Sequence, residues 1–354
     1  MAKLKPTFAL TIGSFNSTTD NPVGGPGRIV VDRDMNVAAD AFELDLFDCS
    51  GVALDDEVTV ELGHDGKQEL VFTGNVVELR PALVGTRLLA LGKMNGLLNL
   101  RTAATYEDKS VGDIVKDLIS QAGIDAGTID GGPTLPRFAV DQHAGAWRFV
   151  KDLADRLGFE LFTDRAGKVM FRALGAAAGL DAGGLGLGGA LGAATGALAG
   201  AFGLGGGEGY QFGKHLIGAA ATRRVETLGQ VSVGGESPAS TKGDSTSHWL
   251  TTETDGLRGA NGGGDPQRLL LDSAARTKDL ADRFAAGYRT TLTRDARRLS
   301  VTTLGRPNLE LGDGISVSDI PEAMANGSGY AQAIRHRFGA EIGFLTDLRL
   351  ALES

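Results

Sequence analysis

The sequence predicts an α+β fold with two antiparallel β-barrels, a small α+β module between them and helical insertions. Three observations support this class. Runs of strand-forming residues fill 5–100 and recur in 290–354, helical periodicity appears only between these regions, and glycine-rich turns separate the runs. The 354 residues are enough for more than one hydrophobic core. We place the parts at 1–100, 101–173, 174–209 and 210–354.

The first barrel, residues 1–100, is predicted from a series of strands. The clearest are 42–47, 57–62, 70–79 and 87–91. Asp65 and Gly66 lie between the second and third of these, and an Asp-Gly pair favours a tight hairpin because both residues tolerate positive φ. This region is therefore expected to be antiparallel.

The α+β module, residues 101–173, begins with a capped helix. Ser110 followed by Asp113 resembles an N-cap with an acidic residue three positions later, and Gly123 is placed to end the helix. Trp147 heads the apolar face of a second helix, which Gly158 ends. Residues 159–163 and 168–172 then predict a hairpin.

The segment 174–209 is a glycine-rich tract. Between Asp181 and Glu208 it has 26 uncharged residues, 12 of them glycine. A helix in water is disfavoured by roughly 1 kcal/mol per glycine relative to alanine, so a mobile loop is expected. Contact with a membrane and ordering against a partner protein are the alternatives.

The same tract contains a G-x-G-x-x-G pattern at Gly184, Gly186 and Gly189. Glycine occupies nearly every second position there, so the match is expected by chance, and no strand immediately precedes it. We therefore predict no cofactor.

The fourth part, 210–354, is predicted to hold a helix and the second barrel. Asp265 and Pro266 are expected to open the helix as N-cap and first-turn proline. The barrel is predicted from strands 299–304, 330–337 and 344–352, and from a turn at Gly312 and Asp313 that would pair the chain with itself. The apolar residues around that turn are Leu309, Leu311, Ile315 and Val317.

Charge and cysteine content exclude several classes of protein. The chain has 35 Lys and Arg against 44 Asp and Glu, a net charge of -9, which disfavours specific binding to nucleic acid. The one cysteine, Cys49, excludes an internal disulfide and a cysteine-based zinc cluster. No apolar signal segment follows the N-terminus, so a cytoplasmic location is expected during assembly.

An enzymatic role has weak support. The five histidines, His64, His143, His215, His248 and His336, are scattered and form no H-E-x-x-H motif. No G-x-S-x-G motif is present. The acidic residues at 45–57 fall at predicted turns and exposed strand faces, so we predict no catalytic or metal-binding residues. A cell-wall hydrolase at a tail tip stays an alternative. The basic cluster of Arg294, Arg297 and Arg298 is expected to be a solvated face or a contact to an acidic partner surface.

Several short motifs occur in a characteristic order. They are Ser110-Val111-Gly112-Asp113-Ile114-Val115, then Gln142, then 147–154 with Gly158, then the 274–288 helix, then Gly305, Pro307, Leu309, Gly312 and Asp313, and finally Gly329-Tyr330 with His336. Together they resemble the central baseplate hub of contractile phage tails, the late control D family. That family is similar in fold to the N-terminal half of VgrG spike proteins.

The resemblance implies a structural, non-enzymatic role. Each family subunit carries two tail-tube-like barrels, so a homotrimer presents six and joins a sixfold inner tube to a threefold spike. It implies contacts with the inner tube protein, the spike, baseplate wedge proteins and a tape-measure or effector protein, within a virion or contractile particle. The glycine tract is not a usual family feature. The chain stops where VgrG would continue into its needle, which implies a separate spike protein. The structural motif residues are Trp147, Gly158, Gly305, Pro307, Leu309, Gly312, Asp313, Tyr330 and His336.

Overall fold

The computed structural model describes residues 4–174, 208–224, 228–237 and 251–352. The uncharged tract 182–207 and His248 lie outside the described residues, so the predictions made for them stay predictions.

The N-terminal part forms seven strands around one hydrophobic core. They are β1 (Pro6–Ile12), β2 (Phe15–Thr18), β3 (Pro26–Asp34), β4 (Ala41–Leu46), β5 (Glu57–His64), β6 (Lys67–Pro81) and β7 (Thr86–Gly92). The strands pair in the order β3-β4-β7-β6-β5-β1-β2, and every pairing is antiparallel. Alternate side chains point inward, as in β4, where Phe42, Leu44 and Leu46 are buried. Asp65 and Gly66 have the positive φ angles that the predicted hairpin requires.

The middle part is a compact α+β module. Its elements are α1 (Asn95–Asn99), β8 (Ala104–Ser110), α2 (Val111–Gln121), β9 (Ala126–Ile129), β10 (Thr134–Val140), α3 (Ala146–Leu157), β11 (Glu160–Thr163) and β12 (Val169–Arg172). The hydroxyl of Ser110 accepts a hydrogen bond from the Asp113 amide, which caps α2 as expected. Gly158 ends α3 in the left-handed conformation, with φ of 69°.

Among its described residues, the C-terminal part contributes nine strands and one long helix. They are β13 (Glu208–Gln211), β14 (Leu216–Arg223), β15 (Gln230–Ser237), β16 (Thr251–Gly262), β17 (Gln267–Leu271), α4 (Lys278–Thr293), β18 (Arg297–Leu304), β19 (Gly314–Ser318), β20 (Gly327–Gly339) and β21 (Gly343–Leu352). Strands β15, β16 and β17 form a separate sheet, and Val233 of β15 shares a core with Phe284 of α4 and the apolar faces of α2 and α3. Helices α3 and α4 pack closely at Gly287, which has no side chain. A Cβ there would lie 2.1 Å from the Arg156 carbonyl oxygen.

The two β modules are joined edge to edge. Strand β20 pairs antiparallel with β3, and His336 lies opposite Val31 in that register. The result is one 13-stranded sheet that runs from β14 at one end to β2 at the other, with β19 beside β20 and β13 beside β19. The predicted α+β class with two antiparallel β modules is confirmed, while the pairing between the modules was not foreseen.

The predicted hairpin around Gly312 is wrong. Leu309 and Leu311 are buried but lie outside any strand. The Gly312 amide donates to the Ala331 carbonyl at 2.8 Å, and the Ala331 amide donates to the Asp313 carbonyl at 2.9 Å. The chain turns here, with the Asp313 amide donating to the Glu310 carbonyl at 3.2 Å, but no hairpin forms. The backbone groups that a hairpin would have used are satisfied by Ala331 of β20 instead.

The predicted start of the long helix at Asp265 is also wrong. Residues after Pro266 form strand β17, which pairs in parallel with β15, so Leu269 and Leu270 belong to a strand. Helix α4 begins at Lys278, where the Thr277 hydroxyl accepts from the Leu280 amide. Proline is compatible with the residue before a strand as well as with a first helical turn. The sheet pairing decides between the two.

Candidate functional site

The motif residues of 305–313 lie in the loop between β18 and β19, where the three parts of the chain meet. Gly305 makes a close approach: its amide donates to the Phe344 carbonyl at 2.8 Å, and a Cβ there would lie 2.0 Å from the Phe344 ring. Pro307 accepts a hydrogen bond from Arg165 through its carbonyl at 3.2 Å. Leu309 is buried in the C-terminal core. The Asp313 carboxylate accepts from the Glu310 amide at 2.8 Å and so shapes the loop.

Glu310 of this loop connects all three parts. Its carboxylate accepts from Arg33 of β3 at 2.9 Å and also pairs with Arg165, which follows β11. Arg33 is only 1% exposed, and it also donates to the Thr163 carbonyl at 2.7 Å and lies 3.5 Å from Asp40. Buried charges need such partners because desolvation of an unpaired ion is costly. This cluster therefore holds the loop against both the first barrel and the α+β module.

Asp40 completes the cluster on the side of the first barrel. It accepts a hydrogen bond from the Thr163 hydroxyl at 2.7 Å. Burial raises the pKa of the Asp40 carboxyl, and the charge of Arg33 opposes that rise. The pairing with Arg33 therefore offsets part of the cost of burying this carboxylate.

A second buried ion pair joins the α+β module to the C-terminal part. Glu160 of β11 and Arg294, just after α4, lie 2.6 Å apart with side chains 1% and 7% exposed. The Tyr330 hydroxyl of β20 donates to Glu160 at 2.8 Å. Burial raises the pKa of Glu160, with Arg294 opposing, and burial together with the Glu160 charge raises the pKa of Tyr330.

The predicted solvated basic face is wrong for Arg294. Its guanidinium donates to the carbonyls of Gly158 and Phe159 as well as pairing with Glu160. Arg298 pairs with Asp295 at the same corner. Arg294 is buried because the end of α3, marked by Gly158, presents free carbonyl oxygens that a cation satisfies.

A third pair lies between the helices. Arg156 of α3 donates to Asp272 at 2.6 Å, and the Tyr288 hydroxyl of α4 donates to the same carboxylate at 2.9 Å. Burial raises the pKa of Tyr288 above its ordinary value, and the charge of Asp272 adds to the effect.

His336 is buried inside the β3–β20 seam. Its Nδ1 lies 3.0 Å from the Thr346 hydroxyl, and its ring packs against Phe344 with centroids 5.6 Å apart. Burial lowers the pKa of His336 to about 3, and the nearby charges of Arg33 and Arg165 act in the same direction. The side chain is therefore neutral at ordinary pH and acts in packing.

Trp147 lies outside the junction, by which we mean the region around the loop 305–313 where the three parts of the chain meet. Trp147 is half-buried against the core of the α+β module, as its place on the apolar face of α3 predicts. The nine motif residues thus fall into two groups. Gly158, Tyr330, His336 and the loop 305–313 meet at the junction, and Trp147 does not.

The residues weighed for catalysis do not converge. His64 lies 3.2 Å from the Gly305 carbonyl, and His215 accepts from the Gln211 amide. Asp45 pairs with Arg87 on exposed strand faces, and Asp48 bonds Ser50 in a turn. Within the described residues, no group of three His, Cys, Asp or Glu side chains is arranged to hold a metal ion.

Sequence reasoning missed Arg33, Asp40, Glu160 and Glu310. One signal was present for Arg33. The most deeply buried positions of β3, Ile29, Val31 and Arg33, are two residues apart, so the period of two places a cation on the inward face. A charged residue in that phase indicates a buried ion pair, although its partners lie far away in the sequence.

Comparison with known proteins shows the fold. No protein-family model and no curated protein matches the chain. Among solved structures, the 43 kDa tail protein of prophage MuSo2 from Shewanella oneidensis matches at 14% identity and a TM-score of 0.67, covering 98% of this chain and 100% of that one. A tail protein from Neisseria meningitidis MC58 matches at 13% identity and a TM-score of 0.67, covering 99% and 97%.

A protein of a secretion machine shares the arrangement as well. The E. coli c3393 protein, a component of the type VI secretion system, matches at 11% identity and a TM-score of 0.55, covering 98% of this chain and 77% of that one. No helix in the described part of the chain is both long and apolar enough to span a bilayer. The chain has the fold that these tail and secretion-system proteins share.

Proposed function

We propose that this chain is the structural hub subunit of a contractile-tail or injection-machine baseplate, a homotrimer that joins a sixfold inner tube to a threefold spike. One observation carries the proposal: a single chain holds two antiparallel β modules in one continuous sheet, fixed by the ion pairs of Arg33 and Glu160. Two such modules in each of three copies supply six similar surfaces to the tube. The shared fold with tail proteins supports the same reading.

The remaining parts of the proposal follow from this role. The partners are the inner tube protein, the spike protein, baseplate wedge proteins and a tape-measure or effector protein. The chain acts without catalysis, first in the cytoplasm during assembly and then in the virion or particle. We also propose the division 1–100, 101–173, 174–209 and 210–354, with the motif residues at the junction fixing the parts relative to each other.

Strand β14 is the surface that we expect between subunits. It ends the described sheet, and most of its side chains are exposed. Ile217 on this strand is 59% exposed, and Leu304 on the neighbouring β18 is 50% exposed. An open strand edge with apolar neighbours pairs readily with another chain, and a closed ring satisfies such edges.

Native mass spectrometry tests the proposal. We expect a particle of about 110 kDa, three times the 36.7 kDa chain, either alone or with the tube or spike protein. Ala219→Lys on β14 should weaken the trimer, whereas Thr11→Lys, on the inner strand β1, should leave it intact. A stable monomer that binds neither the tube nor the spike protein contradicts the proposal. Release of peptidoglycan fragments by the purified chain would contradict the non-catalytic role.

A further inference from the structure

A cleft of about 300 Å³ opens between β10, α3 and the segment that joins β17 to α4. Its lining combines aromatic and aliphatic residues, Phe138, Phe149 and Ala274, with three arginines. These are Arg137, Arg156 and Arg276. Ligand sites commonly have mostly apolar walls with a few polar groups that orient the ligand. The size is at the small end of such sites and suits one or two side chains.

Arg156 is held in place at the cleft. Its Nε donates to Asp272, and its guanidinium lies over the Phe138 ring at 5.7 Å from the centroid. Its Nη1 is buried and has no hydrogen-bond partner. The guanidinium group of Arg156 is therefore held in a fixed position beside the cleft.

Arg137 and Arg276 add positive charge that is not neutralised by an ion pair within the described residues. Arg276 donates to the Ser273 carbonyl at 3.4 Å, and Arg137 stands opposite Glu107 in the β8–β10 register. Both residues are part of the lining of the cleft. They can approach an incoming anion without first breaking a salt bridge.

Asp152 is the acidic residue in the lining, and it competes weakly for these cations. Burial raises the pKa of its carboxyl, and the charges of Arg156 and Arg148 oppose that rise. Arg148, Asp152 and Arg156 follow one another at intervals of four along α3, so Asp152 is flanked by cations on its own helix. Arg156 is paired with Asp272, so Arg137 and Arg276 stand against Asp152 and the lining keeps an excess of positive charge in a chain whose net charge is -9.

We propose that this cleft binds a carboxylate beside an aromatic or aliphatic side chain, as presented by an acidic segment of a partner protein. Guanidinium groups bind planar carboxylates through paired hydrogen bonds, and the phenyl rings of Phe138 and Phe149 receive the adjacent apolar group. The negative charge of the whole chain disfavours nucleic acid as the source of the anion. That the carboxylate belongs to an assembly partner rests on the proposed function, whereas carboxylate recognition does not.

Calorimetry with matched peptides tests the proposal on the purified full-length chain. The probe is acetyl-Glu-Phe-Asp-Phe-Glu-amide, and its comparison peptide carries Gln and Asn in place of the acids. We expect saturable binding of the acidic peptide in roughly the millimolar range or tighter, and at least about tenfold weaker binding of the amide peptide. Equal binding of the two peptides, or no saturable binding of the acidic one, would overturn the proposal.

Variants locate the binding in the cleft. Arg137→Gln combined with Arg276→Gln should weaken binding of the acidic peptide at least about tenfold. Arg80→Gln, at an exposed arginine of the first barrel, is the matched control and should bind like the parent chain. Unchanged far-ultraviolet circular dichroism confirms that the double variant is folded. Unchanged affinity in that variant contradicts the assignment to this cleft.

Phenylphosphonate distinguishes the other source of an anion. Binding of phenylphosphonate at least about tenfold tighter than 3-phenylpropionate would assign the site to a phosphate ligand and overturn the protein partner. All of these titrations are independent of oligomeric mass. If the chain binds the acidic peptide but never forms a trimer, only the proposed hub function is contradicted. If it forms a trimer but does not bind the peptide, only the proposed carboxylate site is contradicted.

Discussion

Arg33 and Glu310 form an ion pair of 2.9 Å although 277 positions separate them in the chain. Arg33 is on the strand of the first barrel that pairs with β20, and Glu310 is in the loop that precedes β19. Their contact, together with Arg165, fixes the position of the two β modules relative to the α+β module.

Removal of the Glu310 charge should destabilise the junction. Glu310→Gln leaves Arg33 buried with Asp40 as its remaining anionic partner, so we expect a loss of about 3 kcal/mol in the free energy of unfolding. Urea denaturation measures it. Asp279→Asn removes the exposed partner of Arg283 on α4 and should cost at most about 0.5 kcal/mol. Equal losses in the two variants would contradict the structural role of the pair.

The Tyr330 hydroxyl should contribute measurably through its bond to Glu160. Tyr330→Phe keeps the ring and removes the donor, so we expect a loss of about 2 kcal/mol because the acceptor is a buried carboxylate. Tyr106→Phe removes a similar bond to Asp117 at an exposed site and is the matched control. Tyr106→Phe should lower the stability clearly less than Tyr330→Phe does, and thermal denaturation of the two variants measures the difference.

His336 should make stability depend on acidity. Its pKa is about 3 in the folded chain and about 6.5 when unfolded. Below pH 6.5 the unfolded chain binds a proton that the folded chain does not, so this contribution to stability falls as the pH drops towards 3. The slope is at most about 1.4 kcal/mol per pH unit. Above pH 6.5 His336 is neutral in both states, so its contribution to stability is fully present.

The measurement compares the parent chain with His336→Gln by urea denaturation between pH 4 and pH 7, a window set by those two pKa values. The difference between the two stabilities should shrink as the pH falls. Buried carboxyls such as Asp40 and Glu160 also titrate, but they are present in both chains and largely cancel. His143→Gln, at an exposed histidine, should follow the parent chain. A pH-independent difference would show that His336 titrates alike in both states.

Gly305 should not tolerate a side chain. Gly305→Ala places a Cβ within 2.0 Å of the Phe344 ring, so we expect a loss of about 2 kcal/mol from overpacking. Combining it with Phe344→Leu should cost less than the sum of the two single changes, because the smaller side chain relieves the clash. Gly131→Ala meets open space and serves as the control. Additive losses in the double variant would contradict the steric explanation.

Local signals in the sequence predicted much of the fold. The alternation in 42–47, the Asp65–Gly66 turn and the cap at Ser110 each involve residues within a few positions, and the structure has all three. The end of α3 at Gly158 belongs to the same class. These features follow from backbone geometry that neighbouring residues decide.

The errors and omissions have a common physical cause. The loop at Gly312 bonds to Ala331, the strand after Pro266 bonds to β15, and β3 bonds to β20. Each choice depends on a partner that is distant in sequence, and local periodicity carries no information about it. The junction at Glu310 was missed for the same reason, since single acidic residues in loops are ordinary until their partners are known.

The pairing of β3 with β20 has a consequence for the order of events during synthesis. Residues 26–34 leave the ribosome long before 327–339 exist, so the first barrel is made with one strand lacking its neighbour. The missing ladder and the Glu310 partner of Arg33 are supplied only when the C-terminal part has been made. Until then the outer edge of β3 has no partner from β20, and an unpaired strand edge of this kind is a site where chains associate wrongly.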